Sequence, residues 1–99
     1  MDIESAAEAL QNILREYKGL EHLRVNKRGQ SLTICSGDPK NPWPHARLTR
    51  VGKTSNHWQL SFPNHRGRWE KTPFIDSLTE LTSMLIRDFG FHLQNFDSF

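Results

Sequence analysis

The sequence predicts an α+β domain: an antiparallel sheet of four or five strands with one face covered by an N-terminal and a C-terminal helix. Apolar residues recur at three- and four-residue steps near both ends of the chain and at alternate positions through its middle, and clusters of Gly, Pro and Asn separate the alternating runs. Helix, strands and helix in that order can bury one sheet face under two helices and leave the other to water.

The first helix rests on Ile3, Ala6, Leu10, Ile13, Leu14 and Tyr17, which form one apolar stripe. It is expected over about residues 4–18, capped by Asp2 or by Ser5 with Glu8 three residues on, and stopped by Gly19. Leu23 and Val25 then alternate with polar residues, Lys27-Arg28-Gly29-Gln30 makes a turn, and Leu32 and Ile34 alternate again, which is a hairpin. The stretch Ser36 to Pro44 holds three prolines and is expected as a surface loop carrying Trp43.

A second hairpin joins residues 45–51 and 57–62 around Gly52-Lys53-Thr54-Ser55-Asn56. If Val51 pairs with His57, then Ala46 faces Phe62, Leu48 faces Leu60 and Arg50 faces Trp58. Trp58, Leu60 and Phe62 are then core, and His45, Arg47, Thr49, Val51, His57, Gln59 and Ser61 share the polar face. After the turn Pro63-Asn64-His65-Arg66-Gly67, residues 68–72 are expected as a short fifth strand ended by Pro73. Ile75, Leu78, Leu81, Leu85 and Phe89 mark the second helix, with Ser77 and Glu80 as its capping box and Gly90 as its stop. In topology this order resembles the double-stranded RNA-binding domain. Where that family's second helix opens with a lysine-rich motif this chain has Phe74-Ile75-Asp76-Ser77, and it carries an extra strand, so no family is assigned.

Ninety-nine residues make one domain, residues 1–99, with no room for a second core. The hydrophobic fraction is 35%, so the three Trp, one Tyr and six Phe must supply much of the buried area. Cys35 is the lone cysteine, which excludes an internal disulfide and fits a reducing compartment. The acidic, amphipathic start does not look like a secretory signal, and no apolar run is long enough to span a membrane, so a cytoplasmic, non-secreted protein is expected. No cofactor or metal is expected, because no C-x-x-C, H-E-x-x-H, phosphate-loop or G-x-S-x-G pattern occurs.

Net charge is +2 but uneven: residues 30–73 hold seven Lys/Arg against two Asp/Glu, whereas residues 74–99 hold one against four. A basic middle points to a polyanionic partner. Trp43, His45, Arg47, His57, Gln59, His65, Arg66 and Arg68 form the candidate binding set, since cations hold phosphates and exposed rings stack on unpaired bases. The favoured reading is a small binding or regulatory protein for nucleic acid, RNA ahead of DNA, or for another acidic partner. The bland alternative is that an antiparallel sheet needs one solvated face and Arg, His, Thr and Gln are ordinary occupants.

The second reading is a metal-independent endoribonuclease of the small toxin type. His45, His57, His65 and Glu70 would then be the acid/base groups, and Arg47, Arg66 and Arg68 would hold charge. A third reading is a protein-interaction module or homodimer that uses the aromatic tail, Asp88 to Phe99. Trp58 is expected in the core and Trp69 is left undecided. Trp43 is either an exposed binding ring or a lid over the core edge.

Overall fold

The computed structural model describes residues 2–52 and 56–93, excepting the side chains of residues 91 and 92. α1 (Ile3–Glu16) is followed by five strands, β1 (Arg24–Arg28), β2 (Ser31–Ser36), β3 (Trp43–Arg50), β4 (Trp58–Pro63) and β5 (Trp69–Asp76), then α2 (Leu78–Asp88) and a short 3₁₀ turn, η1 (Gly90–Leu93). The strands lie in one antiparallel sheet in sequence order, β1-β2-β3-β4-β5. The expected architecture of a sheet with a helix from each end of the chain is what the protein has.

Of the two candidate caps, Asp2 closes α1: its carboxylate accepts from Ser5 N–H at 2.7 Å. Ala6, Leu10 and Leu14 bury the stripe, whereas Tyr17, the C-cap, stays exposed. The helix ends at Glu16, short of the expected residue 18, and Gly19 takes its positive φ of 93° in the turn beyond. Gln11 reaches from α1 to β1, donating to the Leu23 carbonyl and accepting from Val25 N–H, each at 3.0 Å. Its amide thereby satisfies backbone groups of an edge strand.

The first hairpin turns on Gly29-Gln30 alone. Gly29 has φ 58° and Gln30 does not have a positive φ, the pattern of a type II′ turn, whose first position favours glycine. In the second hairpin the expected register holds: Leu48 pairs with Leu60, Arg50 with Trp58, and Val51 N–H bonds the His57 carbonyl at 2.8 Å. The tip, Lys53-Thr54-Ser55, lies outside the described residues.

One side of the sheet meets the helices. Leu32, Ile34, Ala46, Leu48, Trp58 and Leu60 are buried there against Leu10 and Leu14 of α1 and Leu78, Leu81 and Leu85 of α2, with Phe62 packed at the margin. Ser77 caps α2 by accepting from Glu80 N–H at 3.2 Å. Gly90 does not stop the chain in a left-handed turn as expected. It opens η1, which inserts fully buried Leu93 into the core. His22 Nε2 donates to the Leu93 carbonyl at 3.1 Å and holds that turn in place. Residues 94–99, which contain most of the aromatic tail, lie outside the described residues.

Two irregularities depart from the sequence expectation. The ladder between β2 and β3 shifts between Ile34 and Cys35, so that Cys35 pairs with Pro44, Ser36 pairs with Trp43, and His45 is the extra residue of a bulge. The strand therefore starts at Trp43, inside the stretch expected as loop. Likewise β5 runs through Pro73 to Asp76, because Pro on an edge strand can turn its missing donor away from the ladder. A second shift there sets Leu60 against the segment between Lys71 and Ile75. Thr72 anchors it by donating to the Leu60 carbonyl at 2.7 Å and accepting from Phe74 N–H at 3.2 Å. Among the described residues no helix is long and apolar enough to cross a membrane.

Candidate nucleic-acid interface

Strand alternation places every second residue on the side away from the helices. Two rows cross the whole sheet on that open face. Asn26, Thr33, Arg47, Ser61 and Lys71 are successive partners from β1 to β5, as are Arg28, Ser31, Thr49, Gln59 and Ile75. The strands contain two carboxylates, Glu70 and Asp76. Both pair with helix-facing residues, Glu70 with Phe62 and Asp76 with Trp58. The open-face rows therefore contain cations, hydroxyls, amides and, at the β5 edge, the exposed Ile75, with no acid among them.

Arg47 is the centre of this surface. Its Nε donates to Thr33 Oγ1 at 3.3 Å, and its guanidinium carbon sits 4.2 Å from the centroid of the half-buried Trp69 ring. This is cation–π geometry, which fixes a long side chain and leaves its remaining N–H groups to a ligand. Burial, and then the positive charge of Arg28, lower the Arg47 pKa from its ordinary value. Gln59 is also oriented, its amide donating to the Thr72 carbonyl at 2.9 Å.

The turn from β4 to β5 adds charge at one end. Asn64 Oδ1 accepts from the backbone N–H groups of Arg66, at 2.9 Å, and Arg68, at 3.0 Å, and Gly67 takes φ 77°. His65, Arg66 and Arg68 are thus presented, exposed, on an ordered tip beside Trp69.

Other members of the predicted set lie elsewhere. His45 is corrected most: the bulge turns it off the polar face, and it is 2% exposed with its Nε2 2.7 Å from Ser36 Oγ and its ring 6.4 Å from that of His22. It helps hold the end of the sheet and does not line the open face. His57 is exposed but precedes β4, whereas His65 follows it, so the six residues of the strand, about 17–20 Å, separate them. Glu70 accepts from Asn64 Nδ2 at 3.1 Å on the opposite side of the ladder from Arg47. A general acid and base must flank one phosphate within hydrogen-bond reach. The structure does not bring His45, His57, His65 and Glu70 into such an arrangement.

Trp43 is 57% exposed, the exposed alternative of the two expected for it, but pairs with Ser36 beyond the bulge and is outside the two rows. Arg28 and Lys71 belong to the surface and were missed. Their signal was available for Arg28: with Val25 in the core, Arg24, Asn26 and Arg28 must take the other side. Lys71 lay inside the expected fifth strand, but its face depends on the pairing with Ser61, which the sequence did not fix.

Arg24 is tied down, its Nη1 donating to the Gly37 carbonyl at 2.6 Å beside buried Cys35. Burial pushes the Cys35 thiol above its ordinary 9.0, against the pull of Arg24, so it packs as a neutral residue at physiological pH. Among the described residues no group of three or more His, Cys, Asp or Glu could hold a metal.

No family model, curated protein or solved structure matches the chain. The functional reading rests on the geometry of the sheet.

Proposed function

We propose that this chain is a small nucleic-acid-binding protein with a regulatory role that receives single-stranded RNA, in preference to DNA, across the open face of its sheet. The observation that carries the reading is the acid-free face in which Arg47, stacked on Trp69, stands between Arg28 and Lys71. Charges alone would serve any polyanion. The ring beside them and the hydroxyl and amide side chains of Ser31, Thr33, Thr49 and Gln59 suit unpaired bases and the ribose 2′-hydroxyl. A sheet some 19 Å from edge to edge is too broad to enter a duplex groove, which favours a single strand laid on it.

Titration with single- and double-stranded RNA and DNA between 50 and 200 mM salt tests this, with about 50 mM as the low and about 200 mM as the high limit. Single-stranded RNA is expected to bind tightest, with log K falling against log salt at a slope of about −2 to −3, the value for three or four neutralised phosphates. Stronger binding to an acidic polypeptide than to RNA would move the partner to a protein. Because the histidines do not converge, RNA recovered from a chelator-containing titration should be intact. Cleavage that a single His57 or His65 substitution abolishes would instead establish the ribonuclease.

A further inference from the structure

Among the described residues the open face contains a shallow concavity whose lining is more specific than a general basic surface. A hollow of about 150 Å³ is walled by Arg28 of β1, Ser31 of β2 and Arg47 of β3. The two arginines flank β2 from either side and are offset by two residues along the strands, Arg28 level with Ser31 and Arg47 with Thr33, which sets them roughly 12 Å apart at the backbone. Ser31 Oγ lies between them, 3.1 Å from Thr49 Oγ1. The ion pairs among the described residues are Lys27 with Glu4 and Arg87 with Asp88, so neither guanidinium of the hollow is neutralised by a carboxylate.

We propose that this hollow is a subsite for a terminal phosphomonoester of a nucleotide chain, an inference that rests on the nucleic-acid reading of the same face. The chemistry selects this group over a backbone phosphodiester. Two guanidiniums supply a charge of +2 and two N–H forks, and the serine supplies an O–H. A phosphomonoester carries about −1.5 to −2 at neutral pH and three strongly accepting oxygens, so each fork and the hydroxyl has an oxygen of its own. A phosphodiester carries one charge and two such oxygens, which leaves one cation uncompensated. The repulsion that Arg28 exerts on Arg47 becomes shared attraction once the anion sits between them. Trp69 lies against Arg47 on the far side, which places a ring next to the first base and favours a nucleotide over a phosphopeptide.

The test compares one oligoribonucleotide in three forms, with a 5′-phosphate, with a 3′-phosphate and with hydroxyls at both ends, against wild-type protein and the Arg28→Gln, Arg28→Lys and Ser31→Ala variants. One phosphorylated form should bind roughly tenfold tighter than the hydroxyl form. Arg28→Gln should erase that advantage, Arg28→Lys should restore only part of it because the fork is lost, and Ser31→Ala should reduce it. Inorganic phosphate should shift the Arg28 and Arg47 Nε–H signals in NMR spectra, where chloride at equal ionic strength should not. Equal binding of all three oligonucleotides would overturn the subsite while leaving RNA binding intact. Arg28-dependent shifts with inorganic phosphate, in a protein that binds no RNA, would keep a phosphate site here but overturn its assignment to a nucleotide chain together with the nucleic-acid reading. A phosphoserine peptide that binds as tightly as the phosphorylated oligonucleotide would overturn the assignment to a nucleotide terminus.

Discussion

The two faces of one sheet are built from the same backbone ladder and do opposite work. Toward the helices, Leu32, Ile34, Ala46, Leu48, Trp58 and Leu60 are all at most 1% exposed. On the other side their immediate neighbours are Thr33, Arg47, Thr49, Gln59 and Ser61. The helix layer carries Glu4, Glu8, Glu16, Glu80 and Asp88 against Arg15 and Arg87 and is net acidic, whereas the open-face rows carry cations and no acid. A chain with a net charge of only +2 can therefore present a strongly cationic surface. Helix-side residues should govern stability and open-face residues should govern ligand affinity, and each substitution below strains that division.

The largest effect is expected from Trp58→Ala, which empties the volume shared by β4 and α2 and should lower unfolding free energy by about 3–5 kcal/mol in a denaturant melt. Arg47→Glu is its counterpart: stability should fall by about 1 kcal/mol, for the lost contact with Trp69 and bond to Thr33, while RNA affinity falls roughly tenfold or more. A large stability loss there would mean that the Arg47–Trp69 pair is structural.

Ser77→Ala should cost about 1 kcal/mol of stability through the lost cap of α2 and leave RNA affinity unchanged. Asp2 acts in the same way at α1 but with a pH signature. The Ser5 N–H bond holds its pKa below the ordinary 3.8, so the folded state favours the carboxylate. That contribution is complete at neutral pH, starts to fade near 3.8 and is lost as pH falls through the lowered folded value. Asp2→Asn should keep the cap and remove this acid limb from a pH series of unfolding midpoints. The smallest effect belongs to Lys27→Ala, which breaks the exposed 2.9 Å pair with Glu4 and should cost about 0–1 kcal/mol, less at high salt.

Much of this division was legible in the sequence because alternation is local. Leu48 and Leu60, or Arg50 and Trp58, find each other once the hairpin is placed. His45 was misassigned for a physical reason: alternation predicts faces only while the ladder is regular, and the bulge opposite Cys35 depends on how Pro44, which has no N–H, meets its partner strand. Pro73 was read as a stop because whether β5 is an edge strand is a property of the assembled sheet. Burial of Leu93 in η1 was likewise beyond local pattern, since it needs the His22 contact from a segment 71 residues away. Among open-face residues, Arg47 and Gln59 were placed by parity, and Arg28 was lost to the turn although parity would have placed it.

The most direct test of the account is the salt dependence of single-stranded RNA binding by wild type, Arg47→Glu and Arg15→Glu, the last a charge reversal of equal size in the final turn of α1. The account predicts that Arg47→Glu weakens binding and makes the slope of log K against log salt shallower by about 0.7 or more, while Arg15→Glu shifts neither by a comparable amount. Equal losses in both variants would show that RNA responds to net charge alone and would contradict the assignment of the open face as the binding surface.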